Sequence, residues 1–88
     1  MNKKEKKIEE DTVKGIVELL GELKEDNTVP KNVKEKMERI IGALSEDSEM
    51  SLRVNKALNL LDEVSDDNNI QPYTRTQIWN IASMLEAL

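Results

Sequence analysis

Several residue types that carry chemistry are missing from this chain of 88 residues. It has no cysteine, which excludes disulfides, cysteine-ligated zinc and thiol catalysis. It has no histidine, the commonest metal ligand and general base in proteins. Its aromatic residues are only Tyr73 and Trp79, too few for a platform on which nucleic-acid bases stack. We therefore predict no catalytic, cofactor-binding or metal-binding residue, and expect the chain not to be an enzyme.

Long apolar stretches are also missing. No stretch approaches the ~20 apolar residues that cross a bilayer, and three acidic residues follow Ile8, so the start of the chain lacks the apolar segment of a signal peptide. We expect a cytoplasmic protein without membrane contact. With 38% hydrophobic residues, 35% charged residues, three glycines and two prolines, the composition is typical of a soluble helical domain.

Charge is distributed unevenly along the chain, whose formal net charge is −5. Residues 1–7 contain four lysines and one glutamate, which leaves the remainder strongly acidic. We predict that residues 1–7 form a flexible lysine-rich tip, since chain ends are usually loose, and that residues 8–88 form a single four-helix domain. The acidic body would repel a phosphate backbone, so nucleic acid is not expected as the principal partner.

Four stripes of apolar residues recur at the spacing of amphipathic helices. The stripes consist of Val13, Ile16, Leu20 and Leu23; Val33, Met37, Ile40, Ile41 and Leu44; Val54, Ala57, Leu58, Leu61 and Val64; and Ile78, Ile81, Ala82 and Leu85. They predict helices near residues 8–25, 30–45, 50–65 and 72–87. Pro30 and Pro72 fall at two of the predicted starts, where proline is tolerated. No segment alternates with period two, so no strand is expected.

The two halves of the chain resemble each other at an offset of 41 residues. The matching pairs include Val13 and Val54, Leu19 and Leu60, Leu20 and Leu61, Asp26 and Asp67, Ile40 and Ile81, and Leu44 and Leu85. Each half is therefore predicted to be one helical hairpin. Two hairpins are fewer than the ~3 repeats that a solenoid needs. We predict an all-α fold, a four-helix up-and-down bundle built from two similar helical hairpins.

Three segments carry a resemblance to a known family. Residues 26–34 (DNTVPKNVK) and 75–79 (RTQIW), with the acidic turn 66–70 (DDNNI) between them, resemble the archaeal uncharacterised protein family 0147. The resemblance extends from about Ile8 to Leu88. It implies a small all-α protein with four helices, and it supplies no activity, substrate or catalytic residue.

Polar connectors separate the predicted helices, and their Asp, Asn, Ser and Thr side chains are expected to cap the helices that follow. The bundle would bring two acidic connectors together at one end, with basic residues around them. The acids are Glu25, Asp26, Asp66 and Asp67, and the bases are Lys31, Lys34 and Arg75. The turn at 66–69 lacks the glycine and terminal glutamate of an EF-hand, so we expect capping and exposed ion pairs instead of a metal site.

Some apolar residues fall outside the stripes. Trp79 lies about 120° from the centre of the fourth stripe, and Met84 lies about 100° from it on the other side. Leu19 and Leu60 lie about 90–100° from the centres of their stripes, and Leu52 is nearly opposite its own. Small bundles have broad faces, so part of this set completes the core, and the remainder favours a partner or self-association. Trp79, with Arg75 one turn before it, is the predicted partner-binding anchor, because Trp and Arg are enriched among binding hot spots.

Two functional hypotheses follow. The leading one is a non-enzymatic protein–protein interaction or small structural module, whose partner is another protein or a second copy in a homodimer. No small-molecule substrate is expected. The alternative is an accessory factor that contacts nucleic acid weakly through Lys3–Lys7 and through Lys31, Lys34 and Arg39 of the second helix.

Overall fold

The computed structural model describes the backbone of residues 3–88 and the side chains from residue 7 onward. The described chain forms four α-helices and no strand: α1 (Lys3–Lys24), α2 (Lys31–Leu44), α3 (Met50–Ser65) and α4 (Pro72–Glu86). The predicted all-α class and the four predicted helices are confirmed, with both prolines at helix starts. None of the described helices is both long and apolar enough to cross a membrane.

Helix α1 begins earlier than predicted. Its first residue is Lys3 and not a residue near position 8. Lysine and glutamate have high helix propensity, and nothing between residues 3 and 7 breaks a helix. Most of the lysine-rich tip therefore extends α1, whereas Met1, Asn2 and the side chains of residues 3–6 lie outside the described part of the chain. The flexibility of residues 1–7 stays a prediction.

The predicted capping of helices by connector side chains is wrong. The N-cap residues of α2, α3 and α4 are Pro30, Glu49 and Gln71, and none makes a side-chain capping hydrogen bond. Asp26 and Asp67 instead accept hydrogen bonds inside their own turns, each from the backbone N–H two residues later at 2.8 Å. The connector aspartates therefore shape the turns and do not cap the helices.

Contacts at both ends of the bundle establish the direction of the helices. At one end Arg53, near the start of α3, contacts Leu44 at the end of α2 and Glu10 in α1. At the other end Asn32, near the start of α2, bonds to Asp67, just after α3. Helices α1 and α3 each pack between α2 and α4. The arrangement is consistent with the predicted up-and-down bundle.

The core repeats the internal symmetry of the sequence. Twenty of the described residues are buried, and eighteen of them form nine pairs separated by 41 positions. The pairs are Val13 and Val54, Ile16 and Ala57, Leu20 and Leu61, Leu23 and Val64, Val29 and Ile70, Val33 and Thr74, Met37 and Ile78, Ile40 and Ile81, and Leu44 and Leu85. The two hairpins therefore contribute equivalent side chains to one shared core.

Candidate functional site

The exposed side of α4 is uncharged over most of its length. Between Thr76 and Leu85 the helix has no Asp, Glu, Lys or Arg, in a chain in which 35% of residues are charged. Both aromatic residues of the chain lie on this helix, Trp79 with 58% and Tyr73 with 63% of its surface exposed. We define the α4 surface as the exposed residues Tyr73, Thr76, Trp79, Asn80 and Ser83. It combines aromatic side chains with an absence of charge.

Trp79 lies on the flank of α4 that faces α3. Arg75, one turn earlier on this flank, donates to the carbonyl oxygen of Ser65 from Nη1 at 2.9 Å and to that of Asp67 from Nη2 at 2.8 Å. Glu86, seven residues after Trp79 on the same flank, lines a groove with residues of α3. The structure therefore places the two predicted anchor residues one turn apart on the same side of one helix.

Arg75 is held by the chain itself. The carbonyl oxygens that it contacts belong to the end of α3 and to the following connector, where carbonyl groups lack partners within a helix. Its guanidinium thus attaches the start of α4 to the end of α3, and this contact positions Trp79 one turn later. Direct binding of a partner by Arg75 stays a prediction.

At the same end of the bundle, Asp67 is surrounded by hydrogen-bond donors. Its Oδ2 accepts a hydrogen bond from Nδ2 of Asn32 at 3.0 Å, and its Oδ1 accepts one from the backbone N–H of Asn69. The bond from Asn69, then that from Asn32, lowers the pKa of Asp67 below its usual value, with further contributions from Lys36 and Arg75. The carboxylate is therefore stabilised in its ionised form.

Asp26 occupies the equivalent position in the first hairpin. The hydroxyl of Thr28, at 2.7 Å, and then its backbone N–H lower the pKa of Asp26, and Lys34 adds to this effect. Lys34 and Arg75 therefore lie near the connector acids as predicted, and Lys36 joins them. Among the described residues, no group of three or more acidic side chains is placed to hold a metal ion.

Arg53 is the buried charge that sequence reasoning misses. Only 8% of its surface is exposed. It donates through Nε and Nη2 to the carbonyl oxygen of Leu44, and through Nη1 and Nη2 to the carboxylate of Glu10 at 2.8 and 3.3 Å. The bond to Glu10 raises the pKa of Arg53 further above its usual value. The spacing of four residues between Arg53 and Ala57 is the signal that would place this arginine on the apolar stripe.

The basic residues of α2 do not share one face. Arg39 follows Lys34 by five residues, which separates the two by about 140° around the helix, and it lines a groove with residues of α3. Glu38, one turn after Lys34, forms an ion pair with Lys24 at 2.7 Å. The predicted basic surface is therefore divided and carries a carboxylate, while the side chains of residues 3–6 lie outside the described part of the chain.

The apolar residues outside the stripes divide into two groups. Leu19, Leu60 and Met84 are half-buried against the core, which confirms the prediction that part of the set completes it. Leu52 is 52% exposed, as its position opposite the stripe indicates. Ile8 and Tyr73, which sequence reasoning does not single out, are 58% and 63% exposed. The exposed group therefore extends beyond the predicted residues.

Related sequences come from archaea. The model of the family described as "Uncharacterised protein family (UPF0147)" matches residues 1–88. UPF0147 protein MJ1419 of Methanocaldococcus jannaschii is 42% identical over 81 residues, which cover 91% of this chain and 87% of the relative. UPF0147 protein Ta0600 of Thermoplasma acidophilum is 36% identical over 83 residues, which cover 93% and 94% of the two chains.

Solved structures share the fold. The crystal structure of the unknown function protein MMP1188 is similar with a TM-score of 0.84 and 40% identity, covering 89% of this chain and 90% of that one. A crystal structure from Thermoplasma acidophilum, described as a protein from uncharacterized family UPF0147, has a TM-score of 0.85 and 35% identity, covering 93% and 98%. The resemblance drawn from the sequence is thus confirmed, and the chain belongs to uncharacterised protein family UPF0147.

Proposed function

We propose that this protein is a non-enzymatic interaction module that binds a protein partner on the α4 surface. The observation that carries the proposal is the exposure of both aromatic residues on the one helix that is free of charge from Thr76 to Leu85. The centres of protein interfaces are depleted of Lys, Glu and Asp and enriched in Trp and Tyr. The α4 surface has this composition.

Trp79 is the anchor of the proposed surface. Tryptophan offers a large apolar area together with an indole N–H donor, and it loses little conformational freedom when bound. The helix that carries it is attached to α3 through the hydrogen bonds of Arg75. A side chain on such a fixed helix is already positioned before binding, which reduces the entropy lost on association.

The lowered pKa values of Asp26 and Asp67 support a role without catalysis. A general acid or base works best when its pKa lies near the working pH. The pKa values of Asp26 and Asp67 are instead lowered below the usual range of aspartate by hydrogen bonds in their turns. The chain also has no histidine or cysteine that could take over proton transfer or nucleophilic attack.

A photoreactive amino acid at position 76, which lies on the α4 surface one turn before Trp79 and leaves the anchor in place, tests the proposal. Glu35 is the matched control site, because it lies 41 positions before Thr76 and is also exposed on a helix. In an extract of the source cells, we expect position 76 to give a discrete cross-linked product that excess unlabelled wild-type protein suppresses. Position 35 should not give this product.

Two results would contradict the proposal. One is the absence of any discrete product from position 76, and the other is the same set of products from both positions. Circular dichroism of each labelled protein shows whether it is folded before the extract is added. Both sites are exposed, so neither replacement should disturb the core.

A further inference from the structure

A groove lies between α3 and α4, on the flank of α4 that carries Trp79. We call it the α3/α4 groove. Its apolar lining includes Val54, Leu58, Leu85 and Leu88, and its volume is about 300 Å³. This volume is at the lower limit of pockets for small molecules, whereas an apolar groove between two helices suits the apolar side chains of a docked helix. The groove is therefore better suited to a segment of a protein than to a small ligand.

The internal repeat places an equivalent groove between α1 and α2. Six of its lining residues lie 41 positions before lining residues of the α3/α4 groove, and these are Glu10, Val13, Lys14, Val17, Leu44 and Ser45. This groove has charges of both signs, and the chain pairs several of them. Glu10 is bound to Arg53, and further along the same flanks Lys24 of α1 pairs with Glu38 of α2 at 2.7 Å.

The α3/α4 groove differs from its equivalent in charge. Glu86 lines it, and Asp62 lies one turn after Leu58 on the same flank of α3. Both carboxylates are exposed, and neither forms an ion pair with any described residue. Trp79 occupies the position equivalent to the paired Glu38. An exposed aromatic side chain and two unpaired acids therefore accompany the apolar lining.

The basic residues of the same half of the chain are already engaged. Residues 50–88 contain three of them, Arg53, Lys56 and Arg75. Arg53 is bound to a glutamate of α1, Lys56 to a glutamate of the connector after α2, and Arg75 to backbone carbonyl oxygens. This half of the chain therefore supplies no cation to Asp62 and Glu86.

We propose that the α3/α4 groove binds a basic amphipathic helix of a partner protein. Apolar residues of that helix lie in the groove and against Trp79, and its Lys or Arg side chains pair with Asp62 and Glu86. The inference rests on the proposed function, because Trp79 also belongs to the α4 surface. Complementary charge favours one partner over another. The formal net charge of −5 attracts a basic partner and repels a second copy of this chain.

Trp79 reports binding directly, because it is the single tryptophan of the chain. The probe is a synthetic amphipathic helix of Leu and Lys, about 14 residues or four turns long, added to the full chain up to ~1 mM. We expect a saturable blue shift of the Trp79 emission as the ring leaves water, and weaker binding at higher salt. The matched peptide with Glu in place of every Lys should not bind.

Two double variants test the location. Asp62→Asn with Glu86→Gln should weaken binding of the Leu/Lys peptide ~5-fold or more, because an exposed ion pair contributes up to about that factor. Asp11→Asn with Glu63→Gln is the matched control, since it removes the same charges at exposed sites outside the groove. The control should weaken binding less than ~2-fold. Circular dichroism shows whether each variant is folded.

The outcomes separate this inference from the proposed function. No binding up to ~1 mM, or equal binding of the Leu/Glu peptide, overturns the basic helix as occupant, while a discrete product from position 76 in the extract would still support an interaction module. Equal weakening by both double variants would mean attraction to net charge alone, which overturns the groove. A blue shift when the protein alone is concentrated would show a second copy over Trp79 and also overturns the proposal. Selective loss with Asp62→Asn and Glu86→Gln supports it.

Discussion

Thr74→Val is expected to stabilise the protein although it removes a polar group. Thr74 is 1% exposed, and its Oγ1 has no hydrogen-bond partner among the described residues. A buried hydroxyl without a partner costs about 1–3 kcal/mol. Valine has nearly the same shape, and Val33 fills the repeat-equivalent position with no exposed surface. The substitution therefore makes the second hairpin resemble the first.

The expected gain in the free energy of unfolding is about 1–2 kcal/mol, equivalent to a rise in Tm of about 4–8 °C for each kcal/mol in a domain of this size. Urea unfolding followed by circular dichroism and by Trp79 fluorescence measures this gain, with agreement of the two probes as the check for two-state behaviour.

Thr76→Val is the control, because the Thr76 hydroxyl is exposed and already bonds to the carbonyl oxygen of Pro72 at 3.1 Å. The control should change stability by no more than ~0.5 kcal/mol. A Thr74→Val variant that is less stable than wild type would refute the reasoning, since it would show that the hydroxyl is satisfied in the folded protein.

Three further perturbations follow from the structure. Arg53→Ala should destabilise the fold by about 2–4 kcal/mol, because it removes a buried guanidinium that binds two neighbouring helices. The control Arg39→Ala, at an exposed site, should cost less than ~0.5 kcal/mol in the same urea experiment. Equal effects of the two substitutions would show that the Arg53 contacts do not stabilise the fold. Leu61→Ala should lower the free energy of unfolding measured by calorimetry by about 2–5 kcal/mol, because the Leu61 side chain lies in the core and is only 2% exposed. A variant that melts like wild type would mean that the third apolar stripe does not face the core. The lowered pKa values of Asp26 and Asp67 imply stabilisation that is present above about pH 4 and is lost as the pH falls through the lowered values. The Tm of a variant with Asn at both positions should therefore fall less than that of wild type between about pH 5 and pH 2, and parallel Tm profiles would contradict this linkage.

The apolar periodicity predicts the helices because each helix buries one face in the core, and apolar residues on one face recur at helical spacing. The starts and ends of α2, α3 and α4 agree with the predicted bounds to within one residue. The offset of 41 also relates buried residues of different type, such as Val33 with Thr74 and Ile16 with Ala57. Burial follows position in the repeat even where residue identity does not, so periodicity is the stronger signal for the core.

Contacts between distant segments explain most of what the sequence does not predict. The spacing to Ala57 indicates that Arg53 is buried, but it does not predict the partner of its guanidinium, Glu10, which lies 43 positions earlier in the chain. Asp67 has the residue type of a helix cap, but the turn places the N–H of Asn69 within its reach. The exposure of Trp79 follows from its angle on the helix. Local pattern therefore predicts the elements, and the tertiary arrangement decides the partners of the polar groups.

The most direct test of the account is collisional quenching of the Trp79 fluorescence in the free protein, because Trp79 is the single tryptophan of the chain and the anchor of the proposed surface. The account predicts an emission spectrum close to that of indole in water, and quenching by acrylamide close to that of the chain unfolded in urea, since the side chain is 58% exposed. A blue-shifted emission with little quenching would place Trp79 in the core and would contradict the account.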